Sequence, residues 1–210
     1  MPELIFITGC NAAGKSTFIR TRLNELEGFE ILMTDVYKSR TKELALKAIA
    51  DKKDIVLETV FNDSSFINIV EAARKVGYQT NIIVLFLDNV QQSIDRVALR
   101  IIHQEGLPIS DGNVKLNFVE SLKNAAFYYF YFDHSDFIYT GTGATNKYVF
   151  SFNQDKLINY QSNDLEYPQQ FARLSFSKDR LDEEAYLLIT KNQYYKKELK
   201  QNIKRNRLKL

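Results

Sequence analysis

Short apolar runs rich in β-branched and aromatic residues alternate with longer amphipathic stretches over the first two-thirds of the chain. The runs at 4–8, 30–34, 55–60, 80–87 and 137–140 read as buried strands. Helical stretches are expected between them, at 15–27, 36–50, 64–76, 90–103 and 114–130. In 64–76 the residues Ile67, Val70 and Ala73 share one face, and Gly77 follows as a stop signal. Strand alternating with helix is the pattern of a parallel sheet covered on both faces, because each parallel crossover lays a helix against the sheet. The pattern changes after residue 146. Residues 148–152 alternate like a half-exposed strand of a different layer, 153–178 are polar and short of a clear period, and 181–209 read as a helix that becomes basic.

The expected architecture is therefore a three-layer α/β sandwich with a parallel five-stranded sheet over residues 1–145, plus a C-terminal extension over 146–210 that ends in a basic helix. At 210 residues the chain is long enough for one full core. Its formal net charge of +2 is uninformative as a total, but the distribution is uneven. Residues 191–210 hold eight Lys or Arg and a single acid, leaving residues 1–190 mildly acidic. A basic tail of this kind suits weak contact with nucleic-acid phosphates, or solubility alone. The single cysteine, Cys10, leaves no intramolecular disulfide and no thiolate zinc cage, so a reducing, cytoplasmic setting is expected. The opening MPELIFITG carries an acid where a secretory signal is basic, and no run approaches the length of a membrane span.

The chemistry begins directly after the first strand. Gly9-Cys-Asn-Ala-Ala-Gly14-Lys15-Ser16 satisfies G-x-x-x-x-G-K-[ST], with a strand before it and a helix after it. Such a loop curls backbone N–H groups round phosphate, so residues Gly9, Asn11, Ala12, Ala13, Gly14, Lys15, Ser16 and Thr17 are the expected nucleotide-binding set. Lys15 would neutralise the outer phosphates, Ser16 would ligate Mg²⁺, and Thr17 would reach the α-phosphate. ATP or GTP with Mg²⁺ are the expected cofactors.

Ligands of open α/β sheets collect at the carboxyl ends of the strands, which selects two acids. Asp35 follows the second strand and suits a base that takes a proton from an attacking hydroxyl, the lesser alternative being a cap for the next helix. Glu58 lies in the third strand, where a charge inside an apolar run needs a partner, and could hold a Mg²⁺ water or a substrate hydroxyl. Arg96 and Arg100 are four apart on one helix face and suit the charge of a transferring phosphoryl group, or merely a solvated face. His103 could touch phosphate, although a lone histidine is more often structural or solvated, and the aromatic run 127–134 reads as core.

Taken in order, the glycine loop, TDVYK, LETVF, RKVGY, LFLDNVQQSIDRVALRIIHQEGLPI and VKLNFVESLKNA resemble the zeta toxin family of P-loop kinases, from about residue 3 to residue 140. The resemblance implies phosphorylation of a hydroxyl on UDP-N-acetylglucosamine or a related sugar nucleotide. It implies Asp35 as catalytic base, Glu58 and Thr59 as substrate-binding residues, and Lys15, Arg96 and Arg100 as the groups that hold the phosphoryl. The chain reads HQEG where family members carry Gly-Gly-His, LNF (116–118) where they carry Arg-Arg-Tyr, and TGT where they carry Asp-Asn-Ser. Lys115 is the nearest replacement for the arginine so lost. The reading is a P-loop kinase transferring the γ-phosphate to a small-molecule hydroxyl, with a polynucleotide or nucleoside kinase and a non-catalytic nucleotide-gated module as alternatives. An antitoxin-like partner is not readable from these residues.

Overall fold

The structure, a computed structural model, describes residues 1–103, 108–142 and 145–197. In chain order its elements are β1 (Glu3–Thr8), α1 (Lys15–Arg20), β2 (Glu30–Met33), α2 (Thr34–Tyr37), α3 (Thr41–Ala50), β3 (Ile55–Thr59), α4 (Ile67–Lys75), β4 (Gln79–Phe86), α5 (Val90–Ile102) and α6 (Asp111–Tyr128). There follow β5 (His134–Tyr139), β6 (Lys147–Asn153), β7 (Lys156–Tyr160), α7 (Glu166–Phe176), α8 (Glu183–Thr190) and β8 (Tyr195–Lys196). All strands join one sheet in the order β2-β3-β1-β4-β5-β6-β7-β8.

The first five of these in sheet order are parallel, with β1 at the centre between β3 and β4. Their near-continuous apolar character follows from burial on both sides: β1 is buried along its whole length, as is β3. The sheet then continues through three antiparallel strands, so the expected five-stranded parallel sheet is one part of an eight-stranded mixed one. Residues 148–152 do form a strand, but in the same layer as the others, because β6 pairs with β5 from Lys147 to Asn153.

Aromatic packing seals the junction. Phe137 on β5 stacks on Phe150 of β6 at 4.1 Å, and Phe171 of α7 meets Phe137, Phe150 and Phe152 with centroids 4.7 to 5.8 Å apart. Tyr167 stacks on Phe86 at 4.2 Å. Asp88, just beyond β4, accepts from the backbone N–H groups of Glu166 and Tyr167 at 2.6 and 3.0 Å, which satisfies the exposed start of α7. In the run 127–134, Tyr129 and Phe132 are fully buried and their neighbours are packed against the core.

Several expected boundaries move, for local reasons. Helix α1 stops at Arg20 instead of continuing to 27; Thr21 turns its hydroxyl back onto the carbonyls of Thr17 and Phe18, and turns follow to Gly28. The single helix expected over 36–50 is broken at Lys38, whose φ of 52° lies outside the helical range, and Thr41 restarts it by donating to the Lys38 carbonyl at 2.8 Å. The stretch 153–178, expected to be irregular, contains β7 and α7. The helix expected over 181–209 is helical only from Glu183 to Thr190 and then pairs as β8; the basic end from 198 onward lies outside the described residues. Among the described residues, no helix is long and apolar enough to cross a membrane.

Candidate active site

The C-terminal ends of β1 and β3 and the second half of α5 border a cleft of about 710 Å³. Its lining includes Asn11, Ala12, Gly14, Lys15, Ser16 and Thr17 from the loop, Asp35 and Glu58 from across the sheet, and Arg96, Arg100 and His103 from α5 and its end. The cleft thus gathers most of the chemistry singled out in the sequence.

The loop leaves β1 through Gly9 at φ 144°, where an added Cβ would lie 1.9 Å from the Leu85 carbonyl oxygen of β4; only glycine fits. Gly14, at φ 88°, turns the chain into α1. Between them Ala12 also has a positive φ, of 57°. Lys15 is 8% exposed, and its ammonium donates to the carbonyls of Gly9 and Cys10 at 3.0 and 3.1 Å, so the cation is held in the mouth of the loop. Cys10 is buried behind it, and burial pushes its thiol pKa up, which disfavours the reactive thiolate.

Glu58 supplies the opposing charge. It pairs with Ile7 of β1 and Met33 of β2 in register, and is 2% exposed. Its carboxylate accepts from the Ser16 hydroxyl at 3.4 Å and lies 3.9 Å from the Lys15 ammonium. Burial raises its pKa, Lys15 works against that rise, and the nearby Asp35 carboxylate adds to it. An exposed serine hydroxyl and a buried glutamate oxygen converging at the cleft form a donor pair that fits a hard cation such as Mg²⁺, which takes few protein ligands and keeps water and phosphate for the rest.

Asp35 sits in the first turn of α2. The N-cap position there is Met33, so Asp35 faces the cleft and is not placed as a cap. The two arginines differ. Arg96 is half-buried and donates to the Ala12 carbonyl at 3.3 Å and the Thr140 carbonyl at 2.6 Å, whereas Arg100 is exposed and its charge is felt at Glu58. Thr59 is buried, and its hydroxyl accepts from the Phe61 N–H at 3.1 Å, which places it outside the cleft lining. Lys115 is exposed on α6 and does not line the cleft. Asn117, two residues on, donates to the Asn11 side chain at 2.8 Å and accepts from Asn62 at 2.6 Å.

Sequence reasoning passed over Arg20, which lines the cleft, and Ser93 and Thr140, whose hydroxyls donate to the carbonyls of Asn11 and Ala13 at 2.7 and 2.9 Å. Ser93 carried a legible signal, being three residues before Arg96 on the same helix face. Thr140 carried none, since its neighbour in space is 127 residues earlier.

A glycine loop between the central strand and a helix, on a sheet of order β2-β3-β1-β4-β5, defines a P-loop α/β fold of the kinase type. More particularly, the chain has the fold of the zeta toxin-like P-loop kinases. It is similar to a chain of the PezAT chromosomal toxin–antitoxin system of Streptococcus pneumoniae, with a TM-score of 0.51 and 14% identity over 72% of this chain and 71% of that one. It is also similar to a chain of the AvrRxo1-ORF1:-ORF2 complex with ATP, with a TM-score of 0.58 and 13% identity over 94% of this chain and 77% of that one. No protein-family model and no curated relative matches the chain.

Proposed function

We propose that this protein is an ATP- or GTP-dependent phosphotransferase that moves the γ-phosphate to a hydroxyl of a small molecule, a sugar nucleotide being the acceptor class its resemblance to the zeta toxins suggests. The observation that carries the reading is the convergence, in one cleft, of a phosphate loop with two carboxylates and several cations. A module that only binds nucleotide has no need of Asp35 opposite the loop. The ATP complex of the similar AvrRxo1-ORF1 assembly supports the choice of nucleotide.

In this reading the loop amides and Lys15 hold the β- and γ-phosphates, and Ser16 with Glu58 would hold Mg²⁺. When bound, that ion would neutralise phosphate charge. Asp35 accepts the proton of the acceptor hydroxyl as its oxygen bonds to the γ-phosphorus and the bond to the bridging oxygen breaks, releasing the nucleoside diphosphate. Arg100 meets the charge on the phosphoryl oxygens. Most of the catalysis is positioning and charge neutralisation.

The test is transfer of label from γ-labelled ATP or GTP to sugar nucleotides, nucleosides and short oligonucleotides by purified protein. Label should enter a sugar nucleotide and disappear with Asp35→Asn. Undiminished transfer by that variant, or no transfer to any hydroxyl by wild type, removes the proposal. Transfer to oligonucleotides, weakening steeply with salt, would redirect it to a polynucleotide kinase.

A further inference from the structure

Three consecutive carbonyls of the glycine loop are each held by a side chain from elsewhere in the fold. Asn11 O accepts from Ser93 at 2.7 Å, Ala12 O from Arg96 at 3.3 Å, and Ala13 O from Thr140 at 2.9 Å. Arg96 also donates to the Thr140 carbonyl at 2.6 Å, and the Thr140 backbone N–H to the Phe86 carbonyl at 3.0 Å, so two of the three holders are tied to each other and to the end of β4.

The consequence follows from peptide geometry. Every peptide bond described is trans and planar, so a carbonyl fixed in one direction fixes the N–H of the next residue in the opposite one. Pinning the carbonyls of residues 11, 12 and 13 therefore sets the directions of the N–H groups of Ala12, Ala13 and Gly14. The Ala13 N–H closes the turn onto Cys10 O at 3.3 Å. Those of Ala12 and Gly14 belong to residues that line the cleft. Ala12 is held at a positive φ that a β-carbon disfavours, so the loop needs an external restraint to keep this shape without phosphate.

We infer that Ser93, Arg96 and Thr140 are positioning residues that preset the loop for phosphate, and that Arg96 and Arg100 divide the labour: Arg96 shapes the loop, Arg100 meets the reacting phosphoryl. This rests on the nucleotide-binding part of the proposed function, and its test is read without phosphoryl transfer.

The experiment measures binding of MgADP and MgATP by full-length wild type, Arg96→Met, Arg96→Lys, Thr140→Val, Thr140→Ser, Arg96→Met/Thr140→Val and Arg100→Met, with melting temperatures alongside. Arg96→Met and Thr140→Val should each weaken MgADP about tenfold, the order of one lost charge-assisted or buried hydrogen bond, and MgATP by the same factor. The double variant should lose much less than the product, because either substitution alone frees the loop. Thr140→Ser should bind as wild type does. Arg96→Lys, which keeps the charge without the two-pronged geometry, should resemble Arg96→Met. Arg100→Met should spare MgADP.

Unchanged MgADP affinity in both Arg96→Met and Thr140→Val, with wild-type melting, overturns the inference, and so does a fully multiplicative double variant. Should Arg96→Met fail to fold, Thr140→Val against Thr140→Ser decides alone. Wild type that binds MgADP but transfers no phosphate would end the enzyme reading and leave the loop inference to these affinities; wild type that binds no nucleotide ends both.

Discussion

The two ends of the sheet solve burial in opposite ways. At the carboxyl ends of β1 and β3 the fold encloses Lys15 and Glu58, both less than a tenth exposed, beside a loop with positive φ at Ala12. Around β5, β6 and α7 it encloses rings: Phe137, Phe150, Phe152 and Phe171 are completely buried, and Tyr129 packs among them. Buried charge and strained backbone cost stability and persist where surrounding structure holds them. Interlocked aromatics supply that surround, since each ring removes a large apolar area from water. The extension supplies three of these rings, Phe150, Phe152 and Phe171, to the same core that the cleft strands share. Asp88 shows how directly the two are joined, holding the start of α7 from a position just after β4, the strand against which Gly9 turns.

That contrast can be broken by substitution on either side. Phe171→Ala should lower stability by about 4 kcal/mol in denaturant titrations, because four rings lose their common neighbour; a loss below about 1 kcal/mol would mean the extension is not what supports the fold. Asp35→Asn should do the reverse, leaving the melting temperature near that of wild type while reducing phosphoryl transfer about 10³-fold in steady-state assays.

Glu58 sharpens the comparison through pH. Burial raises its carboxyl above the ordinary 4.5, so the folded state holds its proton more tightly than the unfolded state does. Its contribution to stability is then fully present below that ordinary value and is lost as pH rises through the raised folded value. Without nucleotide, Glu58→Gln should be the more stable protein at neutral pH, and its advantage should shrink on acidification. A constant gap across the titration would contradict the burial of charge there.

His134 gives the smallest effect, on the far side of the sheet. Burial alone would depress its pKa, but hydrogen bonds to Asp136 at 2.9 Å and Asn153 at 2.7 Å, with the Asp136 charge, raise it above 6.5. A raised histidine stabilises below its unfolded pKa, and that contribution fades as pH rises through the folded value. Wild type should therefore exceed His134→Gln by under about 1 kcal/mol in mildly acidic buffer, and by less in alkaline buffer. Melting curves at the two pH values read the difference.

Legibility in the sequence followed the range of the interactions. The strands of the parallel half were visible because full burial leaves continuous apolar runs, and the loop because its glycine, lysine and serine fall at fixed short spacing, with Gly14 at φ 88° turning the chain into α1. Asp35 and Glu58 stood out as acids at strand ends. Helix ends were poorly legible where one hydroxyl or one positive φ decided them, as at Thr21 and Lys38. The extension was the least legible part, since β7 and α7 take their form from partners on β6 and β5.

Alone, the sequence determined the order of strands and helices in the parallel half, the glycine loop and the two acids at the strand ends, because each is marked by residues a few positions apart. Tertiary structure decided the eight-stranded continuation of the sheet, the enclosure of Glu58 against Ser16, and the different partners of Arg96 and Arg100. Those depend on groups up to 84 residues apart meeting across the fold, and no local pattern records which carbonyl a guanidinium will find.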